Sequence, residues 1–157
     1  MQSLLWNKVL RHVARRERSE KEVREYIQKI ITNYKLRITN GQEEIIQKLK
    51  QQDFLNEERF VKAYIHDSIE LQNKGKHRIK FELEKRGIDE NIIDKYLSKI
   101  EEGDELEKAL EFAKRRYEFM KKLPVLTQKR RLYGLLVRRG FSPEIALDTI
   151  DKIVQKR

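Results

Sequence analysis

The chain of 157 residues contains no cysteine, which excludes disulfides and thiolate metal ligands and fits a reducing compartment. Two prolines and six glycines leave few breaks for a turn-rich sheet protein. No apolar run approaches the ~18 residues of a membrane span. The amino-terminal stretch has neither the apolar core nor the cleavage site of a secretory signal, so the expected location is cytoplasmic, with no membrane partner. Catalytic signatures are equally scarce. The histidines His12, His66 and His77 show no metal-ligating spacing. No glycine-rich phosphate loop occurs, and no Ser, Thr or Lys stands out as an activated nucleophile. Adjacent acids such as Glu43-Glu44, Glu57-Glu58 and Glu101-Glu102 sit at helix starts, where they oppose the macrodipole favourably. The expectation is therefore a non-enzyme with no catalytic residues, no metal and no cofactor.

Charge is what the chain has in abundance. Charged residues make up 39% and hydrophobic residues 38%, with a formal net charge of +10. That balance suits amphipathic helices on short connections. The charge is also segregated along the chain: residues 8–37, 74–86 and 108–139 net +6, +4 and +9, whereas 40–73 and 87–107 net −3 and −6. A basic excess arranged in blocks implies an acidic partner such as nucleic acid or an acidic protein surface.

Helical periodicity runs throughout. Leu5, Trp6, Val9, Leu10 and Val13 line one face of a first helix. Ser19 with Glu22 is a capping box that starts a second, with Val23, Tyr26, Ile27, Ile30 and Ile31 facing inward. Asn40 with Glu43 predicts the cap of a third helix carrying Ile45, Ile46 and Leu49. Asn56 precedes a fourth, with Phe60, Val61, Tyr64, Ile65 and Ile69. After the break at Asn73-Lys74-Gly75, a basic helix holds Ile79 and Leu83 and ends where Gly87 can take the left-handed position. Asp89 then caps a sixth helix. Asp104 with Glu107 predicts a further capping box, Leu123-Pro124 a break, and Ser142-Pro143 a cap followed by Pro at the first helical position.

These helices repeat in threes. Aligning Arg86-Gly87-Ile88-Asp89 with Arg139-Gly140-Phe141-Ser142 also carries Ile92 onto Ile145, Leu97 onto Ile150 and Ile100 onto Ile153. The predicted architecture is all-α, three tandem three-helix units over 1–52, 53–103 and 104–157, each too small to be secure without its neighbours. The first unit is longer, which makes 32–39 either an extended helix end or a loop. The same alignment sets Lys76 on Lys129, His77 on Arg130, Arg78 on Arg131, and Lys85-Arg86 on Arg138-Arg139. The second helices of successive units are thus expected to form one basic stripe, suited to a phosphate backbone or an acidic surface.

With these residues in view, the chain resembles the RecX family, regulators of the RecA recombinase. The match is carried by DFLNEERFVKAYI from Asp53 to Ile65 and GKHRIKFELEKRGI from Gly75 to Ile88. RRERSEKEVREYI at Arg15 to Ile27 and RRGFSPEIALDTI at Arg138 to Ile150 are similar to the family's opening and closing units. The chain departs from the pattern at Ile30-Ile31, which replaces a Gly-terminated helix end, and at Gly75-Lys76-His77, where the family commonly has a Pro. The resemblance implies an elongated, curved, right-handed-type helical array. It would bind along the recombinase filament's groove as a monomer and restrain ATPase and strand exchange in recombination, DNA repair and the SOS response. The partners implied are the RecA filament and its DNA, single-stranded within the filament or duplex. The candidate contacts are Arg15, Arg16, Arg18, Arg59, Tyr64, His66, Lys76, Arg78, Lys80, Arg86, Arg130, Arg131 and Arg139. The alternatives are a basic helical DNA-binding module that acts without a recombinase and, more weakly supported, a metal-dependent nuclease.

Overall fold

Where each helix begins is set by whether the residue before it can satisfy free backbone N–H groups. The computed structural model describes residues 2–38 and 40–154; Thr39, the last residue of the 32–39 segment, and residues 155–157 of the third unit lie outside them. The described residues form nine helices and no strand: α1 (Gln2–Val13), α2 (Glu20–Asn33), α3 (Gly41–Gln51), α4 (Glu57–Glu70), α5 (Lys76–Lys85), α6 (Glu90–Leu97), α7 (Glu102–Tyr117), α8 (Val125–Arg138) and α9 (Pro143–Ile153). The all-α expectation holds. The Ser19 hydroxyl accepts from the Glu22 N–H at 3.2 Å while the Glu22 carboxylate accepts from the Ser19 N–H at 3.1 Å. Asn56, Asp89 and Ser142 cap α4, α6 and α9 through their side chains.

Two predicted caps are corrected. Asn40 sits in the left-handed region at φ 62° and makes no side-chain cap bond; a capping side chain needs extended backbone to reach back over the first turn. Helix α7 starts at Glu102, so Asp104 lies inside its first turn, where it complements the macrodipole rather than capping. The longer first unit resolves into both alternatives. α2 continues to Asn33, a turn follows with Lys35 at φ 49°, and Leu36 and Ile38 fold back onto the core.

Three separate cores result. Leu5, Val9, Ile27 and Leu49 are among those that close the first, from α1, α2 and α3; Phe60, Ile79, Leu83 and Ile93 the second, from α4, α5 and α6; and Ala113, Leu132, Leu136 and Ile145 the third, from α7, α8 and α9. Every helix pair in extensive contact lies within one of these triplets. The accessible surface of 10421 Å² exceeds by about a quarter the roughly 8,400 Å² of a compact monomer of 19.1 kDa, as expected when small cores are strung out in a row.

Between the cores the contacts are polar. Gly75, at the amino end of α5, has no side chain to cap with, and its N–H donates instead to the Arg139 carbonyl at 3.0 Å. The His77 N–H donates to the Gly140 carbonyl at 3.1 Å, and the Lys76 N–H to the Glu105 carboxylate at 3.1 Å. The carboxyl end of α8 thus caps the amino end of α5. A Cβ on Gly75 would lie 2.3 Å from the Gly140 backbone, and one on Gly140, which has φ 96°, 2.4 Å from the Arg78 backbone nitrogen. At the other joint, Lys21 near the start of α2 donates to the Lys85 carbonyl at the end of α5 (3.0 Å), and Arg59 pairs with Glu17 at 2.6 Å. The second helices of the three triplets therefore meet end to end.

Gly75 has an ordinary φ of −82°, so Gly75→Ala tests the joint without backbone strain. The variant should keep its helix content while its melting temperature falls and its radius of gyration rises in small-angle scattering. Gly140→Ala should cost more, because it adds the ~1–3 kcal/mol of a strained backbone to the same clash. Wild-type melting in both variants would mean that the joint does not hold the units together.

Candidate functional site

The joint between α5 and α8 opens on one flank into a groove of about 650 Å³ that combines cations from both helices. Glu82 organises its floor. Its carboxylate accepts from Lys74 Nζ at 2.6 Å, from Arg78 Nε at 2.9 Å and from the Tyr64 hydroxyl. Burial pushes this carboxyl up, but the three donors outweigh burial and bring its pKa down to about 2. Burial and the hydrogen bond to Glu82 push the Tyr64 phenol up to about 12. The Arg86 guanidinium lies over the Tyr64 ring at 4.7 Å, and Arg78 Nη1 reaches the Arg138 carbonyl at 3.1 Å. Lys85 and Arg138 also line the groove, and neither has a carboxylate partner among the described residues. Phe81, 57% exposed, forms its lip. One acid set against five cations leaves the groove positive, and a partly dry wall strengthens that field.

The candidate residues have different fates. Tyr64, Arg78 and Arg86 come together in this groove. Four others are engaged in holding the fold. Arg59 bridges Glu17 and Asp53. Lys76 donates to the Ile100 carbonyl at 2.6 Å. Lys80 is held between Glu90 and Asp94, which raise its pKa. Arg139 donates to the Gln72 carbonyl at 2.7 Å. Arg15 and Arg16 are exposed in the turn after α1, with Arg16 3.3 Å from Glu22. Arg18 is half-buried; burial and then Arg16 lower its pKa. His66 is exposed beside Asp67, outside the groove.

Arg130 and Arg131 are not part of this groove. They lie about two turns before Arg138 on α8, roughly 10–12 Å along the axis. Arg130 lines a different hollow, with Leu126, Tyr133 and Leu147. Of the other tyrosines, Tyr96 is buried and Tyr26 stacks on His12 at 3.7 Å. The candidate set omitted Lys74, Lys85 and Arg138. The matched pairs Lys85-Arg86 and Arg138-Arg139 were the signal that could have found two of them. Among the described residues no cluster of three or more His, Cys, Asp or Glu could hold a metal ion, and no helix is long and apolar enough to cross a membrane.

Comparison with known proteins gives a consistent result. A family model described as the second three-helix domain of RecX matches residues 56–97, and one described as its third three-helix domain matches 103–150. The chain is 29% identical over 151 residues to the regulatory protein RecX of Clostridium beijerinckii, covering 92% of this chain and 66% of that protein. To the regulatory protein RecX of Listeria innocua it is 31% identical over 144 residues, covering 89% and 50%. It thus spans between half and two thirds of the length of these two relatives. The crystal structure of RecX from Lactobacillus salivarius has a TM-score of 0.81 at 24% identity, covering 97% of this chain and 96% of that one. A second crystal structure, of regulatory protein RecX, gives 0.83 at 21%, covering 96% and 73%. At these identities the structural likeness speaks for the fold.

A carboxyl held near 2, below its ordinary 4.5, stabilises the folded state fully above about pH 5 and loses that contribution as the pH falls toward about 2. Acid unfolding followed by circular dichroism should therefore show a loss of the order of 2 kcal/mol across this window. Glu82→Gln should flatten it. An unaltered acid profile in that variant would mean that Glu82 does not organise the groove.

Proposed function

This chain belongs to the RecX family of regulatory proteins, and from that premise we propose that it binds the RecA recombinase filament and its DNA and restrains strand exchange and ATP turnover. The observation that carries the reading is the cationic groove built across the joint of the second and third triplets, with Lys85 and Arg138 lacking a carboxylate partner among the described residues. A surface made by two units at once is suited to a partner that is itself extended. The working units of this reading are 1–52, 53–103 and 104–157.

The mechanism follows from shape and charge. Attraction to phosphates or acidic side chains is mainly Coulombic and needs little sequence readout. A body with several cationic segments contacts several subunits together, so each contact after the first forms at high effective concentration. A rigid body held in this way obstructs strand entry. It restrains the subunit motions that accompany nucleotide turnover without touching the nucleotide.

Substoichiometric protein should inhibit recombinase strand exchange. Combining Lys85→Glu with Arg138→Glu should weaken filament binding by about tenfold or more with an unchanged far-UV spectrum, because neither side chain holds an ion pair among the described residues. Tighter binding to bare duplex than to filaments would favour a DNA-binding module that acts alone. No inhibition at any ratio, with no filament binding, would overturn the proposal.

A further inference from the structure

The other flank of the same joint holds a second hollow, of about 240 Å³, into which Arg115, Arg116 and Arg139 converge. None of the three has a carboxylate partner among the described residues. Arg115 donates to the Asn73 side-chain oxygen at 2.6 Å and Arg139 to the Gln72 carbonyl at 2.7 Å. The guanidiniums of Arg116 and Arg139 lie 5.5 and 5.0 Å from the centre of the Phe112 ring. Neutral partners and one ring fix the orientation of these groups without cancelling their charge. Of the nearby carboxylates, Glu111 accepts from the Asn73 side chain at 3.0 Å and lies 3.9 Å from Lys108, and Glu118 pairs with Lys121 at 2.7 Å. Burial, then Arg78, Arg116 and Arg115, lower the Arg139 pKa, as expected of a partly buried cation among like charges.

Beside the three arginines stand two of the most exposed apolar side chains of the protein, Phe119 at 88% and Leu71 at 75%. Both line the hollow while remaining largely exposed. An apolar anchor from a folded protein or an acidic peptide needs a pocket to fill, whereas a flat base needs only a face to stack on. Guanidinium forks match phosphate oxygens in the same setting.

We propose that this hollow binds single-stranded nucleic acid, with Arg115, Arg116 and Arg139 on one phosphodiester and Phe119 stacked on an adjacent base. The site lies apart from the groove of Lys85 and Arg138, and rests on the reading above only for the class of partner. Duplex is a poor ligand here, because its bases are already stacked on one another.

The test uses the full chain and a fluorescein-labelled oligonucleotide of about 20 thymidines, read by anisotropy with no recombinase present. Phe119→Ala should weaken binding by about tenfold while changing affinity for a duplex of the same length by less than about twofold. Arg116→Gln should reduce the magnitude of the salt slope by about 0.7, the share of one neutralised phosphate on a single strand. Both side chains are exposed, and circular dichroism checks that each variant folds. Unchanged affinity for the oligonucleotide in Phe119→Ala would overturn the proposal, as would equal loss on duplex. A polyglutamate peptide that displaces the oligonucleotide from wild type but not from Phe119→Ala would also overturn it, in favour of an acidic protein partner. Because filaments are absent, failure here leaves the strand-exchange reading standing, and failure of strand-exchange inhibition leaves this site standing.

Discussion

The amino end of α5 cannot satisfy its own backbone, and the third triplet does so for it. Gly75 brings no capping side chain, so the Arg139 and Gly140 carbonyls and the Glu105 carboxylate take its free N–H groups. Pulling the two triplets apart would exchange these bonds for bonds to water, at a net cost of about 0.5–1.5 kcal/mol each. An apolar interface can slide by a turn at little cost; a set of directed bonds between two helix ends cannot. The joint therefore fixes geometry as well as proximity, and both glycines are needed for backbones to approach that closely.

The first joint is built differently for a reason visible in the sequence. Helix α2 carries its own capping box in Ser19 and Glu22, so it has no need of carbonyls from α5. Those carbonyls are met instead by the long side chain of Lys21, and Arg59 and Arg86 reach Glu17 and Glu22 across a partly exposed surface. Pairs of this kind contribute about 0–1 kcal/mol each and weaken with salt. The second and third triplets should thus behave as the firmer body, with the first more easily displaced. The two cationic hollows flank the firmer joint, where their geometry is best defined.

Much of this was legible before any coordinates. The caps at Ser19, Asn56, Asp89 and Ser142 and the left-handed Gly87 follow from residue chemistry acting over four residues or fewer. Asn40 and Asp104 misled because a residue type that favours capping does not fix its own backbone conformation. In Asn40 the left-handed alternative, which Asn tolerates, prevailed. The joint was not legible, because Gly75 and Gly140 stand 65 positions apart and nothing local marks them as partners. For the candidate site, the repeat picked out Arg78 and Arg86, which come together in the groove. It could not tell that Lys80 is claimed by Glu90 and Asp94, or Arg59 by Glu17 and Asp53, since each pairing depends on how helices dock.

The alternation of charge along the chain carries a different message once the pairings are known. Acidic segments supply counterions to basic ones across the fold: Glu105 to Lys76, Glu90 and Asp94 to Lys80, Glu70 to Lys108 and Glu43 to Arg24. Much of the basic block at 74–86 is therefore spent internally, and its apparent strength in sequence overstates what a partner would meet. What survives is set by where acids are absent. Residues 108–139 carry eleven Lys and Arg against two acids, so Arg115, Arg116, Arg130, Arg131 and Arg138 have no carboxylate partner among the described residues. The net charge predicts that an acidic partner exists, the internal ion pairs decide where it can bind, and the surplus falls on the third triplet and on the face it shares with the second.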